Sequence, residues 1–175
     1  MDKEYKKFEW EDLGNIVAGR EHLGEEMPVI VYRLFEFTTK DILSKHFGHD
    51  KAKELIRECG FLAGTEFYLN VLNKNHEDLS FEVFVSILQK ALKDFKIGIL
   101  KVESADLSKK KIMLTVAEDI DCSGMPLGDE AVCNYDEGFI AGILHEYSGV
   151  SWDVTEIDCW ATGDRVCRFR IIGKD

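Results

Sequence analysis

The chain has 175 residues, 45% of them hydrophobic, and a formal net charge of −11 from 33 acidic and 22 basic side chains. That length suits one domain with a modest core, and the acidic balance speaks against a nucleic-acid binder, whose affinity comes from a basic face. No run approaches the roughly 18 apolar residues a bilayer span requires, so no membrane partner is expected.

The opening, MDKEYKKFEWEDLG, is charged throughout and has no apolar signal core, which points to a cytoplasmic protein. Residues 1–27 read as an N-terminal extension. From 28 to 48, Val31, Leu34, Phe35, Phe37, Ile42, Leu43 and Phe47 recur at helical spacing. They predict a largely buried helix with Pro28 near its start and Gly48 at its end. A second helix is predicted over 50–72, with Asp50 as N-cap and Gly60 and Gly64 on one face. A third is predicted over 80–95, capped by Ser80. Residues 28–95 are thus a helical part.

After residue 95 the period changes. Two strands are predicted, over 97–104 and 111–119, joined by a polar turn that holds Lys109 and Lys110. Residues 133–149 are again helical, ended by Gly149. Residues 152–161 and 166–172 read as a second hairpin around Thr162-Gly163-Asp164. Residues 96–172 form the sheet, helix and metal-site part of a single domain spanning 1–175. Helices, hairpin, helix, hairpin is the order of an α+β fold, with an antiparallel sheet of about four strands packed on several helices. Two helical stretches echo each other, ECGFLAG (58–64) and DEGFIAG (136–142). Paired glycines four apart predict flat faces for close helix packing.

The chemistry is concentrated near the end. Strand alternation turns Cys167, Phe169 and Ile171 to one face, and Ile157, Cys159 and Ala161 to one face of the preceding strand. A three-residue hairpin loop at Thr162-Gly163-Asp164 sets Cys159 opposite Cys167. The apolar register slips between Val154 and Ile157, which predicts a β-bulge near 155–158 that brings Glu156 to the cysteine side. Cys133 opens the intervening helix. Three thiols and a carboxylate at C-x22-E-x2-C-x7-C match a tetrahedral zinc shell. On residues alone, small buried cysteines and a Cys159–Cys167 disulfide stand beside it as readings.

The stretch CNYDEGFIAGILHEYSGVSWDVTEIDCWATGDRVCRFRI resembles the signature of the 4-vinyl reductase domain family, through the cysteine before Glu137-Gly138-Phe139, the Glu156-x2-Cys159 pair and the turn before Cys167. The resemblance implies an α+β fold related to TRAPP vesicle-tethering subunits and a homodimer formed through the N-terminal helices. It implies one structural zinc per chain on Cys133, Glu156, Cys159 and Cys167. It also implies an apolar small-molecule pocket walled by Met113, Ile143, Trp152 and Val154. Cys59 and Cys122 match no ligand position and read as a helix-packing residue and a loop thiol.

The function implied is a zinc-stabilised, dimeric module that binds or senses a hydrophobic ligand. The alternatives are a tetrapyrrole vinyl reductase or its accessory, and a TRAPP-like assembly scaffold. Reduction needs an electron source, and the sequence has no G-x-G-x-x-G after a strand, no P-loop and no iron–sulfur spacing, so catalysis is the weaker reading.

Overall fold

The computed structural model describes residues 6–75 and 78–174. A short 3₁₀ turn (Trp10–Leu13) and a one-turn helix, α1 (Ile16–Gly19), precede the long helices α2 (Val29–Phe47) and α3 (His49–Phe67). Gly48 alone separates α2 from α3, at φ 86° and ψ 158°, a backbone state glycine adopts without strain. It serves as the cap residue of both helices, and Asp50, the expected N-cap, lies instead in the first turn of α3. A π-helical turn (Tyr68–Leu72) extends α3. Then α4 (Phe81–Asp94) starts where the Ser80 hydroxyl accepts from Val83 N at 3.4 Å.

Four strands follow, β1 (Ile99–Asp106), β2 (Lys111–Ala117), β3 (Trp152–Asp158) and β4 (Cys167–Gly173), with α5 (Asn134–Ser148) between the hairpins. All pairings are antiparallel and the order is β1-β2-β4-β3, so β3 is an edge strand. The α+β expectation holds. One face of the sheet carries Leu100, Ile112, Leu114, Val116, Val154, Phe169 and Ile171, all buried. α4 closes the core on β1 through Phe84, Leu88 and Leu92, and α5 runs through the middle, buried from Asn134 to Leu144 at every residue but Tyr135. An α-helix buried all round is sandwiched between layers, here the sheet and α3.

The two glycine echoes meet each other. A Cβ at Gly60 or Gly64 of α3 would overlap the carbonyl oxygens of Tyr135 and Phe139. A Cβ at Gly138 or Gly142 of α5 would overlap those of Arg57 and Phe61. The flat face expected of each helix is a single, reciprocal interface.

Three expectations are corrected. α2 is not largely buried: among its residues only Glu36 is, while Ile30, Leu34, Phe35 and Phe47 are 59–74% exposed. The helix is inverted, with Tyr32, Arg33, Glu36 and Lys40 turned inward. β3 ends at Asp158 rather than 161, and a 3₁₀ turn (Trp160–Thr162) follows. Cys59 is exposed rather than packed between helices.

Candidate functional site

The β3–β4 register shifts between Glu156 and Asp158, where the sequence predicts a bulge. Its effect is specific. Glu156 keeps the parity of Trp152 and Val154 and faces the core opposite Phe169, Ile157 takes up the extra step and is exposed, and Cys159 returns to the inside. Ile157 therefore does not share the cysteine face. After the bulge the chain folds around the Cys159 carbonyl, which accepts from Thr162 N at 3.1 Å, Thr162 Oγ1 at 2.9 Å and Asp164 N at 3.1 Å. Gly163 closes this turn at φ 108°.

The result is a thiol cluster at the N-terminal end of α5. Cys133 is the α5 cap residue, Cys159 follows β3, Cys167 opens β4, and Cys122 enters from the β2–α5 loop. Their four sulfurs lie within 4.8 Å of one another and all four residues are buried. Cys133 Sγ is 3.8 Å from both Cys159 Sγ and Cys167 Sγ, and Cys122 Sγ is 3.1 Å from Cys167 Sγ. Metal–sulfur bonds of about 2.3 Å at tetrahedral angles place sulfurs about 3.8 Å apart. All the cysteines are free thiols. Cys122, read from sequence as a loop thiol, is thus part of the cluster, and the signal for it was weak because it comes from a loop rather than a patterned element.

Glu156 sits against the same sulfurs. Its Oε2 accepts from Cys133 N at 3.2 Å, and Oε1 is buried without a hydrogen-bond partner. Burial first, then the charge of Cys159, pushes its carboxyl up to about 8. Thiol hydrogen bonds from Cys122, Cys133 and Cys167 hold Cys159 low, whereas hydrogen bonding with Cys122 raises Cys133 and Cys167. One thiolate among protonated thiols is the electrostatic arrangement of a site that exchanges protons for a cation. The structure therefore brings Cys133, Glu156, Cys159 and Cys167 together, with Cys122 as a fifth donor.

Neighbouring groups tie the site to three helices. Glu137 accepts from Glu156 N at 2.9 Å through Oε1, and through Oε2 it pairs with Arg57 of α3. From α2, Arg33 donates to the carbonyls of Ile120 at 2.7 Å and Ser123 at 2.9 Å, and Lys40 Nζ donates to Val132 O at 3.0 Å. The inward polar face of α2 is a clamp on the loop that carries Cys122.

The four residues expected to wall a pocket are placed apart. Met113 lies on the outer face of the sheet, cross-strand from Arg170. Ile143 lines a core gap of about 20 Å³ between α4, α5 and the sheet. Trp152 lines an apolar cleft of about 150 Å³ with Phe81, Ile112, Leu144 and Tyr147. Trp152 and Val154 also line a groove of about 430 Å³ beside the Arg57–Glu137 pair. Leu144 belongs to both the cleft and the gap, so those two adjoin.

Residues 112–172 match the family model of the vinyl-4-reductase domain. Two uncharacterized proteins of Methanocaldococcus jannaschii are similar in sequence. MJ1642 is 26% identical over 86% of this chain and 81% of its own length, and MJ0150 is 27% identical over 100% and 95%. Among solved structures, a vinyl-4-reductase family protein of the same organism covers 98% of each chain at TM-score 0.62 and 17% identity. The phenol-responsive sensory domain of the transcription activator PoxR covers 86% of this chain and 78% of its own at TM-score 0.61 and 13% identity. A trafficking protein particle complex subunit 3 from Naegleria fowleri, covalently bound to palmitic acid, covers 84% and 95% at TM-score 0.65 and 14% identity. From β2 through the thiol cluster to β4, this chain belongs to the vinyl-4-reductase domain family.

Proposed function

We propose that the protein is a zinc-stabilised, dimeric module that binds or senses an apolar small molecule. The observation that carries the reading is the buried thiol cluster, a donor set fitted to one tetrahedral zinc per chain, with Glu156 beside it as a carboxylate donor. The sulfurs come from a loop and from the ends of separate elements, so a metal there would pin the β2–α5 loop, α5 and the β3–β4 turn to each other. That is a structural role.

For the ligand, support comes from the cleft of about 150 Å³ beside Trp152 and Leu144. A dry apolar cavity of that order holds a benzene-sized ring. It adjoins the gap at Ile143, so a longer apolar chain would enter by parting α4 from α5. Two structures sharing this fold hold phenol and palmitic acid, which are apolar bodies with one polar end. The dimer is supported by the outward apolar stripe of α2.

The test is metal content by mass spectrometry on gently purified protein, beside Cys159→Ser. The expected result is about one zinc per chain, lost in the variant together with much of the thermal stability. Wild-type protein without metal and with its thiols freely titratable would refute the zinc reading. Quenching of Trp152 fluorescence by phenol or a fatty acid, abolished in Leu144→Trp, tests the ligand.

A further inference from the structure

Beside the thiols lies a second group of donors that the zinc reading does not use. Asp119, Asp121 and Asp136 are 2%, 0% and 7% exposed. Their carboxylate oxygens and the sulfur of Cys133 all lie within 4.8 Å of one another. Asp119 and Asp121 come from the β2–α5 loop just after Glu118, whose φ of 53° turns the chain inward. Asp136 comes from the first turn of α5.

Three carboxylates packed together out of water are costly unless something neutralises them. The protein supplies little. The nearby cations, Arg33 and Lys40, donate to backbone carbonyls of the same loop. One oxygen of Asp121 accepts from Tyr32 OH at 2.8 Å, and Asp119 Oδ1 accepts from Asp121 N at 2.8 Å. These bonds fix the orientation of two carboxylates without neutralising them. Asp121 Oδ2 and Asp136 Oδ2 are buried with no hydrogen-bond partner, as is Glu36 Oε2 on the facing side of α2. Orphaned carboxylate oxygens, gathered together and held from behind, are how protein surrounds a cation. Burial raises the carboxyls of all three aspartates, and repulsion from neighbouring carboxylates adds to it at Asp121 and Asp136.

We infer that Asp119, Asp121 and Asp136 hold a second divalent cation, with the Cys133 thiolate shared between it and the ion of the thiol cluster. The oxygen-rich donor set selects a harder ion than the sulfur set does: manganese(II) or iron(II), or a second zinc. Cys133 makes the pair a dinuclear centre at the α5 N-terminus, where α2, the β2–α5 loop and α5 converge. The inference rests on the zinc reading of the thiols for the shared ligand alone.

The test uses the full chain carrying one equivalent of zinc, titrated with manganese(II), with free manganese counted by electron paramagnetic resonance and bound zinc by mass spectrometry. The expected result is one further ion per chain. Affinity for it falls at least about tenfold in Asp121→Asn and in Asp136→Asn, with the thiol-bound zinc unchanged. Wild-type protein that binds neither manganese nor a second zinc overturns the inference whatever the variants do. So does a second ion bound equally well by a folded Asp136→Asn. If the first zinc fails to load, the thiol reading fails instead, and the manganese titration on that same protein still decides this site.

Discussion

At the scale of single residues, five donors compete for four places around the thiols. The resemblance to the 4-vinyl reductase family implies Glu156 as the fourth ligand, while the four donor atoms grouped within 4.8 Å of one another are sulfurs, Cys122 included. Thiolate is the softer and tighter donor for zinc. Cys122→Ser is therefore expected to lower zinc affinity by about tenfold or more, and Glu156→Gln by less. Competition against a chromophoric chelator ranks the two, and the reverse order would return the fourth place to Glu156.

Glu36 offers a second residue-scale prediction. Burial raises its carboxyl to about 7, against the opposing charge of Lys40. A group that holds its proton more tightly when folded contributes stability that is complete below the unfolded value near 4.5, and that contribution is lost as pH rises through about 7. With one equivalent of zinc and no other divalent ion, wild-type stability should decline between pH 5 and 8, relative to Glu36→Gln, by at most roughly 1.4 kcal/mol per pH unit. Urea titrations at several pH values measure the difference. A flat difference would mean that Glu36 stays ionised in the fold.

At the scale of elements, α3 and α5 touch backbone to backbone. Adding a methyl at Gly64 or Gly142 gains about 1 kcal/mol of helix propensity, but its only way out is to push apart two backbones that cannot rotate aside. Overpacking of this kind costs about 1–3 kcal/mol. Gly64→Ala and Gly142→Ala are expected to be net destabilising in thermal melts, and Gly138→Ala should also disturb Glu137 and hence the Glu156 backbone. An unchanged melting temperature would show that the helices can separate freely.

The sequence made much of this scale legible, for physical reasons. Helices with capping glycines and strands with strict alternation announce themselves, so α2 to α5 and both hairpins fall close to their expected bounds. The slip of parity between Val154 and Cys159 exposed the bulge. What stayed hidden depends on partners distant in sequence. Cys122 and the three aspartates acquire meaning only when the loop after β2 folds onto α5. The periodicity of α2 is real, but spacing cannot say whether an apolar stripe faces its own core or another molecule.

At the scale of the whole molecule that stripe decides the behaviour of α2. Ile30, Leu34, Phe35, Ile42 and Phe47 are more than half exposed on a chain whose net charge of −11 otherwise favours solubility. A second copy presenting the same stripe buries it symmetrically, which is how most homodimers close. Apolar burial must then outweigh the repulsion between two acidic chains, so the dimer should tighten with added salt. The opposite side of the same helix holds Tyr32, Arg33, Glu36 and Lys40 against the loop of Asp119, Asp121 and Cys122. Assembly on one face should therefore steady metal binding on the other. Phe35→Asp, which touches no loop or thiol contact among the described residues, is expected to turn a dimer into a monomer by light scattering. It should also speed zinc loss to a chelator several-fold. A monomeric Phe35→Asp that releases zinc at the wild-type rate would show that α2 clamps the loop unaided, and would separate assembly from the metal centre.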